Sequence, residues 1–235
     1  MKSVPQPTDS YYFEVLKNDY RDEIMQFLLD NFGKDEPLNR AAGITKDEIS
    51  MCLSSCLDRS LKNEISIIAR SQETNEIVGC MINSVWRKDD LKQNKENEEE
   101  DFEFKTTRKE VETISEILNE LHEQFWTLQP DIDTVIHFEI SSVNINHRFK
   151  GLASQFMKFT ENENLLRSVA ASGIVAEATS FGNQKLLEKR KYETLSSISL
   201  ASKVDQTGKQ ILICDDGTTE VRLVFKRINQ ENGFV

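Results

Sequence analysis

The stretch RFKGLAS, residues 148–154, lies between a strand-like run, TVIHFEISSV (134–143), and a helix-like one, LASQFMKFTENE (152–163). A tight turn needs one glycine at most. Here Gly151 and the small Ala153 flank the first turn of the following helix, which keeps side chains away from its unpaired backbone N–H groups. Such a helix start suits an anion, a phosphate above all.

Outward from this turn, the apolar periodicity predicts alternating strands and helices. Residues 11–16 read as a strand and 19–32 as a helix with Ile24, Phe27, Leu28 and Phe32 on one side. Gly33 is expected to stop that helix, and Pro37 to keep the next stretch from being helical. Residues 45–61 form a second helix, opened by a Thr45/Glu48 capping box and striped by Ile49, Cys52, Leu53, Cys56 and Leu57. Strands follow at 65–70 and 76–86. Residues 87–105 carry a charge run without period, expected to be a solvated loop or, more sharply, a lid over a site for cations. A helix at 107–126, with a Thr107/Glu110 capping box, precedes the 134–143 strand. Strands at 172–180, 192–202 and 219–228 and a short helix at 183–190 complete the chain.

The order β-α-α-β-β-α-β-α-β-α-β-β implies an α/β fold, a mixed sheet with helices on both faces. The phosphate-type turn stands at the carboxyl end of a central strand, where such sheets bind ligands. One domain over 11–235 is expected, after a loose polar segment at 1–10. The net charge is −11. That argues against nucleic acid and anionic membrane as partners and is compatible with a cationic substrate. Cys52, Cys56, Cys80 and Cys214 show no metal-ligand spacing and read as reduced thiols of a cytoplasmic protein. MKSVPQPTDS lacks an apolar segment of the secretory kind, and no run is long enough to span a membrane.

Arg148-x-x-Gly151-x-Ala153 resembles the Q/R-x-x-G-x-G/A motif of the GCN5-related N-acetyltransferase (GNAT) superfamily. KDEPLNRAAGIT (34–45) is similar to the D-E-P-L-N segment of insect-type arylalkylamine N-acetyltransferases, in the slot between the first two helices. ATSFGNQKLLEKRKY (178–192) parallels that family's C-S-S-x-Y-S-A-x-x-x-x-K-L-G-F, with Thr179, Ser180 and Asn183 in the serine places. The resemblance implies a GNAT-like, mostly antiparallel twisted sheet of about seven strands. It implies an enzyme using acetyl-coenzyme A as co-substrate and acting on dopamine, serotonin or a related small amine, without a metal and as a monomer. Polyamine or protein-lysine acetylation, and a catalytically weak coenzyme-binding scaffold, are the competing readings.

The same resemblance assigns site residues. Ser142, Val143 and Asn144 would take the pantetheine amides. The backbone of Phe149, Lys150, Gly151, Leu152, Ala153 and Ser154 would take the pyrophosphate, with Arg148 and Lys150 adding positive charge. Asn183 and Lys185 would lie on the pantetheine and adenine side. Glu36 would be the general base, with Asp35 as an alternative counter-charge; a plain helix cap is the bland role for Glu36. His137 and Glu139, which share a strand face with Ser141, are second candidates for moving the proton. The tyrosine that protonates the leaving thiolate in many acetyltransferases is replaced by Leu187, which leaves Thr179, Ser180 or a water for that step. Phe32, Trp86 and Trp126 would favour aryl substrates if they wall the pocket.

Overall fold

The computed structural model describes residues 4–90 and 102–228. Seven strands form one sheet in the order β1-β2-β3-β4-β5-β7-β6. They are β1 (Tyr11–Val15), β2 (Ile67–Ser71), β3 (Ile77–Arg87), β4 (Thr134–Val143), β5 (Gly173–Ala178), β6 (Glu193–Ser199) and β7 (Glu220–Arg227). Every neighbouring pair is antiparallel except β4 and β5, which run parallel.

The helices are α1 (Arg21–Asp30), α2 (Phe32–Asp35), α3 (Pro37–Ala42), α4 (Lys46–Ser60), α5 (Lys109–Leu128), α6 (Leu152–Thr160), α7 (Glu163–Ser168) and α8 (Phe181–Lys189). Their apolar stripes sort them onto the two faces of the sheet. Phe156, Met157 and Leu187 carry α6 and α8 onto one face, beside Leu165 and Leu166 of α7. Ile24, Leu28, Leu53 and Leu57 carry α1 and α4 onto the other, where Val111, Ile117, Leu121 and Phe125 also seat α5. Gly173 opens β5 because nothing larger fits: a Cβ there would stand 2.6 Å from the Lys226 carbonyl oxygen.

Three local expectations fail for physical reasons. Pro37 does not prevent a helix but starts one. Its fixed φ and missing N–H suit the first position of α3, and the Glu36 side chain caps that turn. Gly33 does not end the helical run; it lies inside α2. The Thr107/Glu110 capping box does not form, since α5 begins at Lys109 and Thr106 instead accepts from the Arg108 N–H at 3.0 Å. The Thr45/Glu48 box is present in full. Within the predicted charged loop, residues 91–101 lie outside the described residues. Phe102 and Phe104 are not solvated: both pack against α5, and the Ser115 hydroxyl donates to the Phe102 carbonyl.

Candidate active site

β4 and β5 are in register only at Ile136–Ile174 and His137–Val175. Beyond that point the two strands diverge, and the gap opens a cleft of about 650 Å³. Its walls include Val143, Arg148, Ala153 and Asn183 on the α6 and α8 side, and Cys52, Arg59, Ile114 and Leu118 of α4 and α5 on the other. These helices lie on opposite faces, so the cleft passes through the sheet where β4 and β5 part.

The cleft thus has two arms, the first on the α6 and α8 side, bordered by the 148–154 turn, and the second on the α4 and α5 side. Phe149 and Gly151 both have positive φ, 62° and 82°. Gly151 precedes α6 in the left-handed region, with no side-chain cap on the helix start. A Cβ at Gly151 would meet nothing within 4 Å, so the need for glycine comes from the backbone conformation. Leu152 anchors the turn in the core. Phe149, Lys150 and Ser154 are exposed around it. Arg148 is committed elsewhere: its Nε donates to the Val143 carbonyl at 3.0 Å and its Nη2 to Asp35 at 2.7 Å. The pair ties the turn to the end of α2, which places Glu36 beside the cleft. Ser142 and Val143 line the cleft; Asn144 caps the next turn and donates to Asn31 at 2.9 Å. Lys185 sits outside it on α8, 3.2 Å from Glu188.

At the junction of the two arms stands Glu36, 9% exposed. Its Oε2 accepts from the Asn39 N–H at 2.8 Å. Its Oε1 is buried and makes no hydrogen bond of ordinary geometry among the described residues, although Thr179 is near enough to favour the charged form slightly. Burial raises its pKa to about 7 against the opposing pull of the Asn39 N–H, Thr179, the Leu38 N–H and Arg40. Capping and availability therefore coexist: one oxygen holds α3 and the other is free. Thr179 and Ser180 line the same junction, and the Ser180 hydroxyl accepts from the Asn183 N–H at 3.3 Å as the cap of α8.

Deeper in the second arm, four ionisable side chains interlock. Arg59 donates from Nε and Nη2 to both oxygens of Glu139, each at 2.8 Å, and Ser84 donates to Glu139 at 2.6 Å. His137 lies 3.3 Å from Glu139 through Nδ1 and 2.6 Å from Glu177 through Nε2. The His137 ring stacks on Trp86, with centroids 3.6 Å apart. Burial opposes the imidazolium, but Glu177 and Glu139 outweigh it and hold His137 up to about 9. Burial also opposes the Glu139 carboxylate, yet Arg59 and His137 keep its pKa well below the usual range. His122, the other neighbour of Trp86, is pushed down to about 3 by burial and stays neutral.

Sequence reasoning singled out Glu36, Thr179, Ser180 and Asn183, and with Arg148, Phe149 and Ala153 of the 148–154 turn they line the same cleft. It missed Arg59, Glu177, Phe102 and Phe104. A glutamate inside the apolar strand SGIVAEATS was the available signal for Glu177. Phe32 does wall the cleft, together with Phe102, Phe104 and Phe138, whereas Trp86 and Trp126 are core residues away from its surface. Leu187 is fully buried in the core, so that position offers no proton. No group of three His, Cys, Asp or Glu side chains among the described residues is arranged to hold a metal ion. No helix among them is long and apolar enough to cross a membrane.

This sheet, with its splayed parallel pair and glycine turn, is the fold of the GCN5-related N-acetyltransferases. Arylalkylamine N-acetyltransferase 2 from Aedes aegypti superposes with a TM-score of 0.77 at 24% identity, covering 93% of this chain and 99% of that one. The Drosophila melanogaster polyamine N-acetyltransferase, which forms N-acetylagmatine, gives 0.74 at 14% identity, covering 93% and 100%. The C-terminal condensation domain of Ebony, solved in complex with beta-alanyl-dopamine, gives 0.66 at 17% identity, covering 93% and 99%. No protein-family model matches the chain, and no curated protein matches it in sequence.

Proposed function

We propose that this chain transfers the acetyl group of acetyl-coenzyme A to the amino group of a small aryl- or alkylamine, by direct attack of the amine on the thioester. The observation that carries the reading is Glu36: a buried carboxylate, one oxygen bare, at the meeting of the two arms, with its pKa lifted to about 7. An alkylamine of pKa about 10 arrives protonated. A base working near neutrality removes that proton, the freed nitrogen attacks the carbonyl carbon, the C–N bond forms and the C–S bond breaks. The nitrogen of the adduct sheds its second proton as the sulfur leaves, and that proton passes to the departing thiolate. With a thiol pKa of about 8.5 it needs no strong acid, so water, Thr179 or Ser180 suffices where Leu187 cannot serve.

Glu36 ranks above the other two candidates for physical reasons. Glu139 is held by Arg59 with both oxygens and is too weak a base. His137 is enclosed and charged at neutral pH, so it has no lone pair to accept a proton. The coenzyme would lie in the first arm, its pyrophosphate on the N–H groups of Phe149 to Ser154 and its pantetheine along Ser142, Val143 and Asn183. Arg148 would act on that turn mainly through Asp35 and Val143. Four free cysteines fit a reducing cytoplasm. The aryl reading draws on the walls of Phe32, Phe102, Phe104 and Phe138; the polyamine reading draws on the acidity of the chain.

The test is release of coenzyme A thiol from acetyl-coenzyme A with a panel of arylalkylamines, polyamines and lysine peptides. Amine-dependent release, strongest with an arylalkylamine, is expected. Tight coenzyme binding with no transfer to any amine would establish the scaffold reading instead.

A further inference from the structure

Glu177 reaches the cleft from β5, and the proton transfer assigned to Glu36 does not use it. Its side chain is only 4% exposed. One oxygen is occupied by His137; the other, Oε1, is buried and without a hydrogen-bond partner among the described residues, on a residue that lines the cleft. A bare buried carboxylate oxygen is costly, so the site is built to receive a donor. What kind of donor follows from the neighbours. Arg59 and His137 stand against Glu139 and Glu177, two cations against two carboxylates. The cluster is balanced and calls for a hydrogen bond, not a further charge. The walls on the α4 and α5 side of the cleft are apolar: Phe102, Phe104, Ile114 and Leu118. Thr179, two residues on from Glu177 just past the end of β5 and so at most about 7 Å along the chain, lies next to Glu36. One aromatic ring on a short alkyl arm bridges that span.

We infer that Glu177 selects the substrate of the proposed transfer, its free oxygen accepting a hydrogen bond from a neutral donor at the far end of an arylalkylamine, a phenolic hydroxyl above all. The inference rests on the transferase reading and narrows its substrate class. A substrate without the donor leaves the buried oxygen unpaired, and sites of that kind discriminate strongly. A diamine places a second cation where the charge is already matched and gains little.

The experiment compares kcat/KM for tyramine, phenethylamine, the O-methyl ether of tyramine and agmatine, in the wild type and in Glu177→Gln. The wild type is expected to prefer tyramine over phenethylamine and over the ether by about tenfold or more. In Glu177→Gln the amide oxygen stays on His137 and the NH2 turns to the cleft. The preference for tyramine over the ether then falls to within about threefold, since an amide N–H in the wall donates to either oxygen. The wild-type series is a test by itself, whether or not the variant folds. Equal rates for tyramine and phenethylamine in the wild type overturn the inference and leave the transferase reading standing. A wild-type preference for agmatine that Glu177→Gln abolishes also overturns it, making Glu177 a cation site. A tyramine preference unchanged in a folded Glu177→Gln assigns the selectivity elsewhere and overturns it too. No turnover with any amine overturns the transferase reading and the inference with it.

Discussion

Replacing Glu36 by glutamine should make the protein more stable and the reaction much slower. In the folded chain burial moves this carboxyl from the ordinary 4.5 to about 7. At roughly 1.4 kcal/mol per tenfold change in proton affinity, the difference is on the order of 3 kcal/mol. The sign follows from proton counts. Between 4.5 and about 7 the folded chain keeps a proton that the unfolded chain has released. Stability contributed by this group is therefore present below 4.5, falls as pH rises to about 7, and stays lost above it. Glutamine never ionises, so it escapes that loss. It keeps an oxygen for the Asn39 N–H but caps less well, at a cost of about 1 kcal/mol. The net expectation is a gain of roughly 2 kcal/mol at pH about 8, or about 4–8 °C in Tm for a chain of this size, and no gain at pH about 4.5. Thermal unfolding at the two pH values reads it directly. Turnover should fall by ~10²–10⁴, the usual range for a lost general base. A variant less stable than wild type at pH about 8 would refute the desolvation argument, and wild-type turnover would place the base elsewhere.

Gly151→Glu forces a side chain into a left-handed backbone and a negative charge onto the phosphate turn; about 1–2 kcal/mol of stability and at least about tenfold in coenzyme A affinity should go, by thermal unfolding and calorimetry. Gly151→Asn, whose residue type tolerates that backbone, should keep most of both. Glu139→Gln withdraws the charge that faces Arg59 and His137, so urea unfolding should show a loss of about 3 kcal/mol. With Arg59→Met added, the loss should be smaller than the sum of the two single changes. Raising salt should lower kcat/KM for a monoamine while leaving kcat nearly unchanged, because the chain carries a charge of −11 and steering is screened over ~8 Å. Neutralising Glu98, Glu99, Glu100 and Asp101 together should flatten that slope; an unchanged slope would remove the acidic run from substrate capture.

The parts of this site legible in sequence are those that local chemistry dictates. A strand, a glycine that must adopt positive φ and a helix start are neighbours in the chain, so RFKGLAS could be read as an anion turn. Thr45 and Glu48 are three apart, and their capping box formed. Pro37 misled because a proline breaks a helix interior yet favours the first position, and only the cap at Glu36 decides between them. The charge quartet was hidden for a different reason. Arg59 and Glu139 are 80 residues apart, and His137 and Glu177 are 40 apart. Their pairing exists only because β4 and β5 run side by side and the end of α4 brings Arg59 onto β4. The alternation of His137, Glu139 and Ser141 was visible, but nothing local said that Arg59 would hold Glu139 with both oxygens. Phe102 and Phe104 were masked by the charges around them, although aromatic residues at alternate positions in a polar run are a sign that one side is covered.

The central claim is that one cleft through the sheet brings a coenzyme thioester from the Gly151 turn to an amine beside Glu36. It is tested most directly by a crystal structure with a bisubstrate analogue, coenzyme A joined through its acetyl carbon to tyramine. The account predicts the pyrophosphate on the backbone N–H groups of residues 149–154 and the pantetheine between β4 and β5. The amine nitrogen should lie within hydrogen-bond reach of Glu36 Oε1, about 2.6–3.2 Å or one water away. Coenzyme bound outside the gap between β4 and β5, or an amine nitrogen resting on Glu139 with Glu36 uninvolved, would contradict it.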